Sequence, residues 1–179
     1  MDLGQFTLTT SFLLVFLGFL FTNKSNKIDS LIKNFPRSKL SAILLLCIGI
    51  FWFLFRHVNN LGEADFGEYK VTIGIIGVLV GVASYFFIFD FLAVRALCII
   101  ILFYSREVLD AAFLQEPISR LFLVSIIYFF ITVSLYFGAW PYRLRDFLNW
   151  LFKNYKYRFL FGSFFLTYSV ILVIVRFTY

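Results

Sequence analysis

The run VSIIYFFITVSLYF carries no charge from end to end, and it is one of several long apolar stretches in the chain. Inside hydrocarbon every backbone N–H and C=O must find a partner within the protein, so only helices and closed barrels cross a bilayer. Barrel strands alternate apolar and polar residues over about ten positions. The runs here are continuous, which selects helices. A crossing takes about 20 apolar residues, and about six runs reach or approach that length: 6–22, 40–55, 71–89, 91–114, 120–139 and 159–175. The expectation is an all-α integral membrane protein, a single polytopic domain over residues 1–179, built as a bundle of about six transmembrane helices.

Composition agrees. Hydrophobic residues make up 61% of the chain and charged residues 15%, whereas soluble domains run near 45–50% and 25%. A net charge of +6 in a soluble protein would raise the question of nucleic acid. In so apolar a chain it points instead to cytoplasmic loops and lipid headgroups, and no nucleic-acid partner is expected. The 27 phenylalanines read as lipid-facing bulk, and Cys47 and Cys98, each within an apolar run, as small membrane residues with no metal-ligand spacing.

Charge alternates between the connections. The first carries Lys24, Lys27, Lys33, Arg37 and Lys39 against Asp29, and the fifth carries Arg143, Arg145, Lys153, Lys156 and Arg158 against Asp146. The connections after the second and fourth runs lean acidic. By the positive-inside rule, loops 23–39 and 141–158 face the cytoplasm and both termini lie outside it. No signal-peptide pattern opens the chain, so the first run is expected to stay as a span, and the short loops suggest a bacterial inner membrane.

After Pro141, Leu144, Phe147, Leu148 and Leu151 fall on one helical face and Arg143, Asp146, Asn149 and Lys153 on the other. This predicts an interfacial amphipathic helix over 142–155, placed before the last span, with Arg143, Arg145, Lys153, Lys156 and Arg158 meeting anionic lipid headgroups. In the third run Gly74, Gly77, Gly81 and Ser84 share about 80° of one face, a stripe suited to close helix packing within the bundle or against a partner subunit.

Chemistry is sparsely signalled. HExxH, GxSxG, Walker A and GxGxxG patterns are all missing from the sequence, so no enzyme is expected. Glu63, Asp65 and Glu68 form an acidic loop without the EF-hand spacing. His57, at the end of the second run, is the one candidate ligand for a haem or pigment, and an interface histidine is the plainer reading.

The fourth run is the exception. On a helix Arg95, Arg106 and Asp110 lie within about 60° of one another, with Glu107 on the shoulder and the two arginines some 16 Å apart along the axis. Asp90 is placed to cap that helix and to partner Arg95, and Asp110 or Glu107 to partner Arg106. Intramembrane charge of this kind faces protein or water and not lipid. The leading expectation is a non-catalytic accessory or scaffold subunit of a larger membrane complex, packing through the glycine face and the charged face. A small transporter or channel with a polar path along the fourth span is the second reading, and a subunit binding pigment, haem or quinone is the third.

Overall fold

The computed structural model describes residues 2–62, 66–88 and 90–178, and every regular element among them is helical. The long helices are α1 (Leu3–Thr22), α3 (Lys39–Trp52), α4 (Lys70–Phe87), α5 (Leu92–Ala112), α6 (Arg120–Ala139) and α8 (Tyr155–Arg176); two short ones are α2 (Asn26–Asn34) and α7 (Pro141–Leu151). A π-helical segment, Phe53–Val58, extends α3, and a 3₁₀ turn, Gly67–Tyr69, leads into α4.

Five helices are long and apolar enough to cross a membrane: Leu3–Thr22, Lys39–Val58, Gly67–Phe87, Arg120–Ala139 and Tyr155–Arg176. The sequence alone predicts six. The difference is α5, which is one unbroken helix of 21 residues but gathers Arg95, Arg106, Glu107 and Asp110 near its ends. The second span also reaches further than expected, to Val58, because the π-helical turns carry it past Phe55.

The long helices alternate in direction. Gly4 lies at Arg176 and Gly18 at Gly162, so α1 and α8 run antiparallel. Gly49 meets Ile100 and Arg56 meets Glu107, so α3 and α5 run the same way. Gly77 lies at Phe53 and Gly81 at Ile50, which reverses α4 against α3; Gly138 meets Cys98, which reverses α6 against α5. The start of α1 and the end of α8 therefore share one end of the bundle. At the opposite end α2 and α7 sit side by side, bringing the two basic connections together.

The principal core joins α1, α5, α6 and α8 through Phe6, Leu14, Val108, Leu123, Ile126, Ile127, Phe165 and Leu172. In a bilayer, whose tails are as apolar as these side chains, close packing and not water exclusion would hold such helices together. The approach is tightest between α1 and α8. A Cβ on Gly162 would stand 3.0 Å from the Gly18 carbonyl oxygen and 2.7 Å from Thr22, so glycine is what lets the two backbones approach. Hydroxyls buried in this seam are bonded: Thr7 and Thr10 donate to the carbonyls of Leu3 and Phe6, Ser11 donates to Ser169, and Tyr104 meets both Thr9 and Thr10.

A helix forms over Pro141–Leu151, within the stretch expected to be helical, ending a turn early at Leu151. Helix α2 lies in a segment expected to be a loop. Its apolar residues Ile28, Leu31 and Ile32 follow helical spacing between lysines.

Candidate functional site

Helix α5 is the most enclosed element, with Leu92, Ala93, Val94, Ala96, Cys98, Ser105, Val108 and Ala112 buried between α1, α3 and α6. That enclosure explains how a helix too charged to pass for a span lies among the spans: its apolar surface faces protein and its ionisable groups sit toward the two ends.

At the end shared by α1's start and α8's finish, the π-helical turns place Arg56 against α5. Its Nε and Nη2 both donate to Glu107, at 2.9 and 2.6 Å. A π-helix adds a residue to the turn and re-aims the side chains beyond it, and such turns recur at functional positions. Glu107 thus pairs with Arg56, from an element far away in sequence, and not with Arg106. Arg106 pairs with Asp110 at 3.7 Å on the exposed side, as the helical spacing expected. His57, from the same π-helical segment, lies on the Phe103 ring at 4.7 Å and near Phe53 at 6.3 Å, with Nδ1 buried and without a hydrogen-bond partner. Among the described residues no three His, Cys, Asp or Glu side chains gather as a metal set. Glu68 is exposed in its turn, and Glu63 and Asp65 lie outside the described residues.

At the other end the expected cap is replaced. Asp90 precedes α5 without capping it; the N-cap position is Phe91, at φ 58°, whose carbonyl accepts from Val94 and Arg95. The left-handed turn at Phe91 puts Asp90 outside the reach of the first free N–H groups. Nor does Asp90 pair with Arg95, whose guanidinium has no partner among the described residues.

The glycine stripe of α4 is turned inward. Gly74 lies against Leu54 and Val58, Gly77 under the Phe53 ring and Gly81 under Ile50, so the close contact it permits is with α3 of the same chain. Ser84 donates to the Val80 carbonyl of its own helix. Beyond that line of contact α4 leaves an apolar crevice of about 300 Å³, floored by Gly49, Ile50 and Phe53 of α3 and walled by Gly81 and Ser84 on one side and Ala96, Ile99 and Phe103 of α5 on the other. The face of α5 between Arg95 and Arg106 is therefore apolar along this crevice.

Among the residues assigned to lipid headgroups, Arg143, Lys153 and Lys156 are exposed, and Arg145 pairs with Asp146 at 2.7 Å. Arg158 departs from the expectation. It is 3% exposed, donating through Nε to Phe21, through Nη1 to Asp29 and through Nη2 to Leu20 and Asn23. Four unpaired carbonyls end every helix, and Arg158 takes up two of those of α1, Leu20 and Phe21, with that of Asn23 just beyond, while Asp29 ties α2 to the same point. Spacing alone gave no sign of this, because the partners lie more than a hundred positions away.

No protein-family model, curated protein or solved structure matches the chain.

Proposed function

We propose that this chain is a non-catalytic subunit of a larger membrane complex, and that a transmembrane helix of its partner seats in the crevice between α4 and α5. The observation that carries the reading is the state of α4. It leans mainly on α3 and its π-helical extension, with few residues buried along its length, and small residues line the open crevice beside it. Small-residue surfaces let a second backbone approach closely, which is how membrane helices associate. Against a polar path along α5 stands the apolar surface between Arg95 and Arg106, formed by Ile99 and Phe103. A flat aromatic ligand beside His57 and Phe103 is the second reading, favoured by the unpartnered Nδ1 of His57; visible absorption of the pure protein decides it for pigment and haem.

The proposal places α5 as a sixth crossing. Its direction reverses that of α4 before it and of α6 after it, and its length of about 30 Å matches the hydrocarbon thickness. It also places the end bearing α2 and α7 in the cytoplasm of a bacterial inner membrane, with the other end outside, since Lys24, Lys27, Lys33, Arg37, Arg143, Lys153 and Lys156 gather there. Phosphatase fusions after Asn60 and Glu116 are expected to be active and fusions after Ile88 and Asn154 silent.

The deciding experiment is co-purification in mild detergent. Gly49→Leu and Ser84→Leu fill the crevice, and a Cβ on Gly49 would meet only Ile100, at 3.8 Å. A stoichiometric partner lost in both variants, while each keeps the unfolding temperature of the parent, supports the reading. A chain that is monodisperse alone and moves a solute in liposomes overturns it.

A further inference from the structure

Where α4 ends, α5 begins and α6 turns into α7, a cavity of about 560 Å³ opens at the end of the bundle that carries α2 and α7. Arg95 lines it, one turn into α5, together with Asp90, Phe91 and Tyr142. A guanidinium offers five N–H donors and stays charged. Here none of them reaches an acceptor among the described residues, and Nη1 is shielded from solvent. A cation shielded in this way is costly unless something answers its charge.

Two more guanidiniums lie over the ring of Phe91, a wall residue, without lining the cavity themselves. Arg37, from the turn after α2, lies over the Phe91 ring at 5.4 Å, and Arg145 of α7 lies over the same ring at 5.8 Å. Arg145 is offset by Asp146, whereas Arg37 has no acidic partner among the described residues. Asp90 and Arg95 both line the cavity without pairing, and Arg37 adds a further positive charge over the Phe91 ring. The rim is apolar and outward: Phe86, Phe87 and Ile88 close α4 with their side chains exposed, and Trp140 is exposed beside Pro141. Exposed aromatics around a cavity that holds an unpaired guanidinium, at the ends of long apolar helices, describe the level where headgroup meets hydrocarbon.

We propose that this cavity binds the phosphate of a membrane phospholipid headgroup. Arg95 presents the planar fork that matches phosphate oxygens two at a time. Arg37 and Arg145 supply the surrounding field. The acyl chains lie against the exposed end of α4 at Phe86 and Phe87. A soluble phosphate answers Arg95 equally well but leaves the apolar rim uncovered, which separates the two sources by experiment.

The full chain, purified in detergent and stripped of lipid, is titrated with fluorescently tagged short-chain phosphatidylglycerol. Unlabelled phosphatidylglycerol, diacylglycerol and inorganic phosphate serve as competitors. Arg95→Gln is expected to weaken binding about tenfold or more, Arg95→Lys by less, and Arg106→Gln, at the opposite end of α5, not at all. Phosphatidylglycerol should displace the probe, and diacylglycerol should not. Inorganic phosphate competing as well as the phospholipid would make the ligand soluble and overturn the lipid assignment. Diacylglycerol competing equally, or Arg95→Gln binding like the parent, would overturn the site itself. Should Arg95→Gln fail to fold, exposed Arg37 carries the test: Arg37→Gln is expected to weaken binding about threefold, and no change there overturns the proposal.

Discussion

Arg158 and Arg56 are both arginines paired to an acid across the bundle, yet their surroundings set them apart. The Arg158 side chain is 4% exposed and closes the carbonyl end of α1 while holding Asp29. Removing it leaves Asp29 and several carbonyls without their donor. Arg158→Leu is expected to destabilise the protein by about 3–5 kcal/mol, with Arg158→Lys recovering part of the loss. Arg56 is 53% exposed, so solvent already screens its contact with Glu107. Arg56→Gln is expected to cost about 1 kcal/mol or less. Thermal unfolding in detergent compares the two on one scale, and a larger loss at Arg56 would contradict the ranking. The ionisable residues of α5 were visible in the sequence, as was the Arg106–Asp110 pair, because spacing within one helix is arithmetic. The partners of Glu107 and Arg158 were not, since nothing local marks which distant element will arrive.

Between elements, glycine has two meanings here. On α4 the stripe was legible from its periodicity, and the structure sets it against side chains of α3 and its π-helical extension. Between α1 and α8 the glycines are isolated in sequence and gave no stripe to read, yet there backbone meets backbone. Gly162→Ile is expected to force α1 and α8 apart at a cost of about 1–3 kcal/mol. Gly138→Ala, whose new Cβ would stand an ordinary 3.7 Å from Cys98, is expected to be neutral or slightly stabilising. Chemical denaturation of both variants checks this, and equal losses would show that the α1–α8 approach is looser than described. The amphipathic α7 announced itself through Pro141 and a clean apolar face, whereas nine-residue α2, flanked by lysines, was too short for its period to stand out.

Across the whole molecule, packing is uneven: α5 is enclosed and α4 hangs mainly on α3 and its π-helical extension. Opening α4 breaks few contacts, so its amides should exchange with solvent deuterium earlier than those of α5 in the same detergent preparation. The opposite order would show that α4 is held by more than these contacts. The seam between α1 and α8 bears on time as well as on strength. During synthesis α1 is made long before α8, with every other helix emerging between them, so its closest neighbour is missing for most of the chain's assembly. Thr7 and Thr10 have bonded to their own helix meanwhile, and need no partner to wait in lipid. Ser11 alone among these looks across to α8, at Ser169. Until α8 arrives, Ser11 has no acceptor across the seam and the close approach of Gly18 to Gly162 is not made.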